Sequence, residues 1–249
     1  MSGPQPLDDL WNSTPSSTCV FQPEQVADLP DGPRRYLLHA IAVGTPLASV
    51  VRLRMHGEIK LKDRWYPFSA EQIICGNRGM IWRAAVRMHG VSIRGSDSLL
   101  DGRGEMKWKP FGILPLIHAS GPDITRSAAG RMNIESVWLP SMLFGDGMSW
   151  TAQDASHLHV SFAACNEAAE IDYDIDEKGQ LKTVSMPRWG NPDNIRFRYE
   201  NFGCVVEAER RFGGYTIPSR MRVGWSFATD RFESNGEFFR VTISEATYR

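Results

Sequence analysis

No stretch of this 249-residue chain stays apolar for the ~20 residues that a membrane-spanning helix needs. The opening MSGPQPLDDLWNSTPSS has no basic segment leading into an apolar one, so a secretory signal is not expected. Cysteine is scarce: Cys19, Cys75, Cys165 and Cys204 lie far apart and form no C-x-x-C pair, which argues against both a zinc site and a compact disulfide framework. Charge of one sign is also missing. The formal net charge is -1 and the pI near 6.6, with lysine and arginine scattered, so nucleic acid and anionic membrane are not expected as partners. No Walker loop, dinucleotide fingerprint or G-x-S-x-G elbow occurs, which disfavours kinases, nicotinamide enzymes and ordinary serine hydrolases. These absences together predict a soluble, cytoplasmic protein with thiols kept reduced, no metal and no cofactor.

The chain is rich in strand signals. A hydrophobic content of 42% suits a single domain with a real core. Residues 1–22, with Pro, Ser, Thr and Asp and no periodicity, read as a flexible arm, mobile or draped, with Trp11 and Phe21 as its apolar exceptions; residues 23–249 read as the domain. Pro33 opens a first helix, RRYLLHAIAV, which Gly44 and Pro46 stop. From Leu47 onward apolar residues alternate with polar ones. Met80, Trp82, Ala84, Val86 and Met88 oppose Arg83 and Arg87; Leu158, Val160 and Phe162 oppose His157, His159 and Ser161. Ile171, Tyr173 and Ile175 oppose three aspartates, Ile195, Phe197 and Tyr199 oppose Arg196, Arg198 and Glu200, and Met221, Val223, Trp225 and Phe227 form a further set. Turn signals such as Gly76-Asn77, Asp101-Gly102, Gly145-Asp146-Gly147, Lys178-Gly179, Gly213-Gly214 and Asn235-Gly236 separate the runs. About ten antiparallel strands imply a large curled sheet.

One segment breaks the pattern. Over about 122–139 the period changes to that of a helix, and Ile124, Ala128, Arg131, Glu135 and Trp138 form one stripe, with Thr125, Arg126, Asn133 and Ser136 left to solvent. Arg131 and Glu135 thus fall on the apolar side, where a charge is costly unless paired. A helix laid across the concave face of the sheet accounts for this, since both charges then point into the space between helix and sheet.

The ordered motifs LPDGPRRYL, WYPFSAEQ (Trp65 to Gln72), IWRA around Trp82, Asp97 followed by DGRGEM, GPDI from Gly121, and GR…E..WLP from Gly130 to Pro140 resemble a bacterial family of unknown function, the DUF6544 (DUF6920) type. The similarity spans roughly residues 29 to 245. It implies a half-open, incomplete β-barrel with a helical plug, similar to the lipoprotein carriers LolA and LolB, which hold acyl chains; it brings no established activity.

Within that frame the candidate polar groups are Arg131, Glu135, His118 and Asp97. The i, i+4 pair Arg131 and Glu135 reads in two ways, as an ion pair that fixes the helix on the sheet, or as a pocket wall in which Arg131 holds an anionic or phenolic oxygen and Glu135 moves a proton. Asp97 shares parity with Val91 and Ile93, unless it serves the turn at Asp101-Gly102. His118 shares parity with Leu114 and Leu116 and needs little tuning for acid–base work, or else caps the helix. Only one of Glu71 and Gln72 faces inward. His157 and His159 place two imidazoles on a wet strand face with no further ligand at a recognisable spacing, so no metal is assigned. Trp82, Trp108 and Trp138 suit an aromatic guest if they line the concavity. Two functions follow: a cofactor-independent lyase or isomerase acting on a hydrophobic or aromatic small molecule, or a non-catalytic binder or carrier of a hydrophobic ligand such as a lipid.

Overall fold

A computed structural model of the chain describes residues 7–76, 78–110, 117–165 and 167–249. Asn77 of one expected turn, and Leu114 and Leu116 from the parity argument for His118, lie outside them. Among the described residues thirteen strands form one antiparallel sheet, more than the roughly ten expected. The first six are β1 (Val50–Leu61), β2 (Arg64–Cys75), β3 (Gly79–Met88), β4 (Val91–Leu100), β5 (Arg103–Pro110) and β6 (Ile117–Ser120). The others are β7 (Ser149–Ala152), β8 (His157–Ala164), β9 (Glu167–Ile175), β10 (Leu181–Gly190), β11 (Arg198–Phe212), β12 (Tyr215–Trp225) and β13 (Glu237–Tyr248). Their spatial order is β6-β5-β4-β3-β2-β1-β13-β12-β11-β10-β9-β8-β7.

Two meanders build this order. The chain steps outward from β1 to one edge, crosses to the opposite edge, and steps back until β13 pairs with β1. Tight turns drive the stepping. Asp101 and Gly102, with φ of 48° and 76°, form the two-residue connection that matches strand twist, and glycine takes the second position without penalty. The edge strands β6 and β7 do not pair, so the barrel stays half-open.

The segment joining those edges has to traverse the concavity, which is why a lone helix lies there. It is α3 (Pro122–Ile134), continued by a 3-10 turn over Glu135–Trp138 and another over Pro140–Leu143. The helix packs on β4, β5 and β6 from one end of the sheet and on β9 and β10 from the other, and so plugs the curl. Asn133 and Ser136, expected on the solvated side, are instead fully buried. A helix enclosed by a curled sheet has no wet face over its second half, and the tighter 3-10 turn shifts the stripe beyond Ile134. The opposite flank of the plug is packed with aromatic rings. There Tyr36 packs its ring against Trp150 and Tyr173 at 6.2 and 5.4 Å.

Tyr36 belongs to α2 (Asp31–Ala40), which buries Pro33, Tyr36, Leu37 and Ala40 at helical spacing. The helix ends before Gly44 because Ile41 turns extended and bridges Tyr215, while the Ala42 amide donates to the Gly214 carbonyl at 2.9 Å. Within the stretch read as a flexible arm, residues 7–22 are draped over the sheet. The short helix α1 (Leu7–Asn12) sets Leu7 and Leu10 on Val50, Ile73, Cys75 and Ile81, which face the convex side. Phe21 enters the main core beside Phe144.

The alternation read at Ile195, Phe197 and Tyr199 needs correction. β11 starts at Arg198, Ile195 is 79% exposed outside it, and Tyr199 is also exposed. Phe202 and Cys204 set the inner face, so even positions point inward in this strand.

Candidate functional site

Between α3 and the sheet lies a cavity of about 640 Å³. Its walls are the inner faces of β3 (Trp82, Val86), β4 (Ile93, Asp97), β5 (Met106, Trp108), β11 (Phe202, Cys204), β12 (Met221, Val223, Trp225) and β13 (Phe238, Phe239). Ile124, Ser127, Arg131, Ile134, Glu135 and Trp138 form the roof. Leu61 and Ile117, 37% and 47% exposed, also line it and mark the mouth. Glycines open room for the indoles: a Cβ on Gly95 would sit 2.2 Å from the Trp108 ring, and one on Gly190 2.2 Å from that of Trp225. The rings pack on one another, Trp82 on Trp108 at 5.8 Å and Phe202 on Trp225 at 4.9 Å.

Among the described residues, four ionic side chains interrupt this apolar lining. Arg131 donates from Nε to Glu135 Oε1 at 2.7 Å and from Nη1 to Asp97 Oδ2 at 3.1 Å, and its guanidinium lies 4.9 Å from the Trp82 ring centre. The remaining carboxylate oxygens are also occupied. Asp97 Oδ1 accepts from the Trp108 indole at 3.1 Å and Glu135 Oε2 from Gln72 Nε2 at 2.6 Å. The three charged side chains of this network are 12–21% exposed, enough for the cavity to touch them. Burial raises the Asp97 carboxyl above its ordinary value, with Arg131 opposing. For Arg131 burial acts downward, but Glu135 and Asp97 outweigh it and the net shift is upward. The helical stripe therefore did place Arg131 and Glu135 toward the sheet, where Asp97 comes from β4 to meet them.

The fourth ion, Arg188 on β10, is one the sequence reading missed. The period-two run Val184, Met186, Arg188 carried its signal, since the first two are core residues. Arg188 stacks on Phe202 and Trp225, with its guanidinium 4.5 and 5.1 Å from the ring centres, and donates through Nε and Nη2 to the Ser127 carbonyl at 3.3 and 3.1 Å. Gly130 leaves space for its stem, for a Cβ there would lie 3.1 Å from Arg188 Cγ. Burial, then the nearby Arg131, push its guanidinium down to about 9.

Other singled-out residues lie elsewhere. Gln72 faces inward and is fully buried, whereas Glu71 points to the convex side and pairs with Arg52 at 2.6 Å, because Gln72 shares the inner parity of Phe68 and Ile74. His118 is outside the cavity: Ile117 faces in, so His118 faces out and meets Glu105 Oε1 at 2.8 Å. Trp138 lines the roof with its indole N–H donated to the Pro218 carbonyl at 3.1 Å. His157 and His159 sit on the wet face among carboxylates, His157 with Asp154 at 2.7 Å and His159 with Asp172 and Glu170 at 2.8 and 2.6 Å.

In comparisons with known proteins, no curated sequence matches the chain. Among solved structures it is similar to a DUF1329 family protein from Desulfovibrio piger (10% identity, TM-score 0.44, covering 81% of this chain and 86% of that one). It is also similar to a LolA superfamily protein from Nitrosomonas europaea (9% identity, TM-score 0.44, covering 86% and 90%). A third similar structure is a putative outer membrane lipoprotein-sorting protein domain from Vibrio parahaemolyticus (7% identity, TM-score 0.38, covering 81% and 86%). The family model that matches residues 27–248 spans most of the sequence, and the chain belongs to the family of unknown function DUF6920.

Proposed function

We propose that the protein is a non-catalytic binder or carrier of a hydrophobic small molecule, which it holds between α3 and the sheet. One observation carries this reading: a cavity of about 640 Å³ whose walls are mostly apolar and aromatic, with a few polar groups in the roof and on β4 and β10. Small-molecule sites fall within roughly 300–1,000 Å³ and have that same composition. Water in such a space gains few hydrogen bonds, so an apolar guest replaces it favourably.

The test is titration with N-phenyl-1-naphthylamine, an uncharged probe that fluoresces in apolar surroundings. Uptake near one probe per chain is expected, with quenching of Trp82, Trp108, Trp138 and Trp225 and displacement by dodecanol. An absence of uptake, together with unchanged tryptophan emission, would overturn the reading.

A second reading, a cofactor-independent lyase or isomerase, draws on the charges in the cavity and on the Asp97 carboxyl, which burial raises toward the range useful for proton transfer. Against it, each carboxylate oxygen of Asp97 and Glu135 already accepts a hydrogen bond from Arg131, Trp108 or Gln72. Such a satisfied network serves to set the helix on the sheet better than it serves to move protons. Loss of a proton from a carbon acid bound in the cavity, followed as exchange into deuterium oxide, would favour the enzyme.

A further inference from the structure

We infer that the guest is an amphiphile with a carboxylate head, and that Arg188 receives that head. This rests on the binding reading above and adds the chemistry of the polar end.

Three features of Arg188 lead there. It is nine-tenths buried, with 9% of its surface exposed, and it lines the cavity. No carboxylate among the described residues comes within salt-bridge distance of it, in contrast to Arg131, which holds two. Of its five donors, those on Nε and Nη2 serve Ser127, and Nη1 has no hydrogen-bond partner among the described residues.

A buried guanidinium without a counter-ion is costly, and its depressed pKa reflects the same desolvation. Stacking on Phe202 and Trp225 offsets part of that cost but supplies no negative charge. An anion at Nη1 would pair that charge locally, and an acceptor at that donor would complete its bonding.

The charge count selects the anion. Arg131 and Arg188 against Asp97 and Glu135 sum to zero, so the head is held by local pairing with Arg188 and not by a net positive cavity. One guanidinium matches one carboxylate in charge, with Nη1 as its donor. A dianionic phosphate would bring a second charge with no cation to meet it. The rest of the guest lies along Trp82, Trp108, Phe238 and Phe239 toward the mouth at Leu61 and Ile117.

The test is displacement of N-phenyl-1-naphthylamine at neutral pH by dodecanoate, dodecanol, dodecylamine and dodecyl phosphate, each kept monomeric. Dodecanoate is expected to compete at least ~10-fold better than dodecanol, with dodecylamine weakest. In Arg188→Met that advantage should fall to within about threefold, and Arg188→Lys should keep part of it. Equal competition by dodecanoate and dodecanol in the unmodified protein would overturn the carboxylate inference and leave hydrophobic binding intact. Failure of the probe and every amphiphile to bind would overturn the binding reading itself. Stronger competition by dodecyl phosphate would overturn the choice of carboxylate, and an advantage retained in Arg188→Met would overturn the role of Arg188. If Arg188→Met does not fold, the head-group series on the unmodified protein decides the carboxylate, and a full advantage retained in Arg188→Lys would overturn the role of Arg188.

Discussion

Replacing Arg131 by methionine tests whether the network in the cavity roof holds the helix in place. The guanidinium supplies one bond to Glu135 at 2.7 Å and one to Asp97 at 3.1 Å. Methionine fills much of the volume, so the loss is mainly electrostatic. It leaves two carboxylates near one another in an apolar wall, each still hydrogen-bonded to a neutral group, Trp108 or Gln72. Breaking a buried pair by removing one partner costs about 3–5 kcal/mol. The neutral donors that remain place this case near the middle, at roughly 4 kcal/mol, or about 8–16 °C in Tm for a chain of this size. The sign of the pH dependence follows from Asp97. Its folded carboxyl is raised above the ordinary value, so the native state binds that proton more tightly than the unfolded chain. Ionising it therefore costs stability as pH rises through the folded value, and acid relieves the cost. Without Arg131 the shift grows, so the deficit of Arg131→Met should shrink between pH 7 and pH 5. Urea unfolding followed by far-ultraviolet circular dichroism at both pH values measures it. A deficit under about 1 kcal/mol, or one that does not change with pH, would mean that water replaces the guanidinium and that the network is not a scaffold.

Glu135→Gln should be milder, roughly 2 kcal/mol in the same urea assay, because Gln72 has a buried oxygen without a partner that can turn to accept from the new amide. Gly95→Ala should force the Trp108 ring away from β4 and loosen its bond to Asp97, at about 1–3 kcal/mol with a shift in tryptophan emission; an unchanged spectrum would refute the contact. Leu10→Ala should cost about 3 kcal/mol by emptying the convex-side cluster, and a change within ~0.5 kcal/mol would show that the draped segment adds nothing to folding. His157 and His159 should titrate above the ordinary histidine value, held up first by Asp154 and Asp172 respectively. The stability they add is thus full below the unfolded pKa and lost as pH rises through the folded one. Asp154→Asn should bring His157 back down in an NMR titration.

The sequence by itself determined the architecture, because the signals involved are local. Period-two runs at Met80–Met88 and Leu158–Phe162 specify strands with one buried face, and pairs such as Asp101-Gly102 specify the turns between them. The switch of period near residue 122 specifies a helix, and the balance of polar and apolar positions around it put Arg131 and Glu135 on the inner side. What alternation cannot supply is an absolute face for a strand whose two sides look alike. Glu71 and Gln72 are adjacent and both polar, and only the packing of Phe68 and Ile74 turned Gln72 inward. At β6 a strand of four residues gave too short a period to fix its face, and His118 lies outward. Only the tertiary structure decided which charges meet. Asp97 and Arg131 are far apart in the chain and become partners because the crossover from one sheet edge to the other lays α3 over β4. The same crossover places Ser127 over β10 and leaves Arg188, on the inner parity of Val184 and Met186, as a cation in that wall with no carboxylate within salt-bridge distance among the described residues.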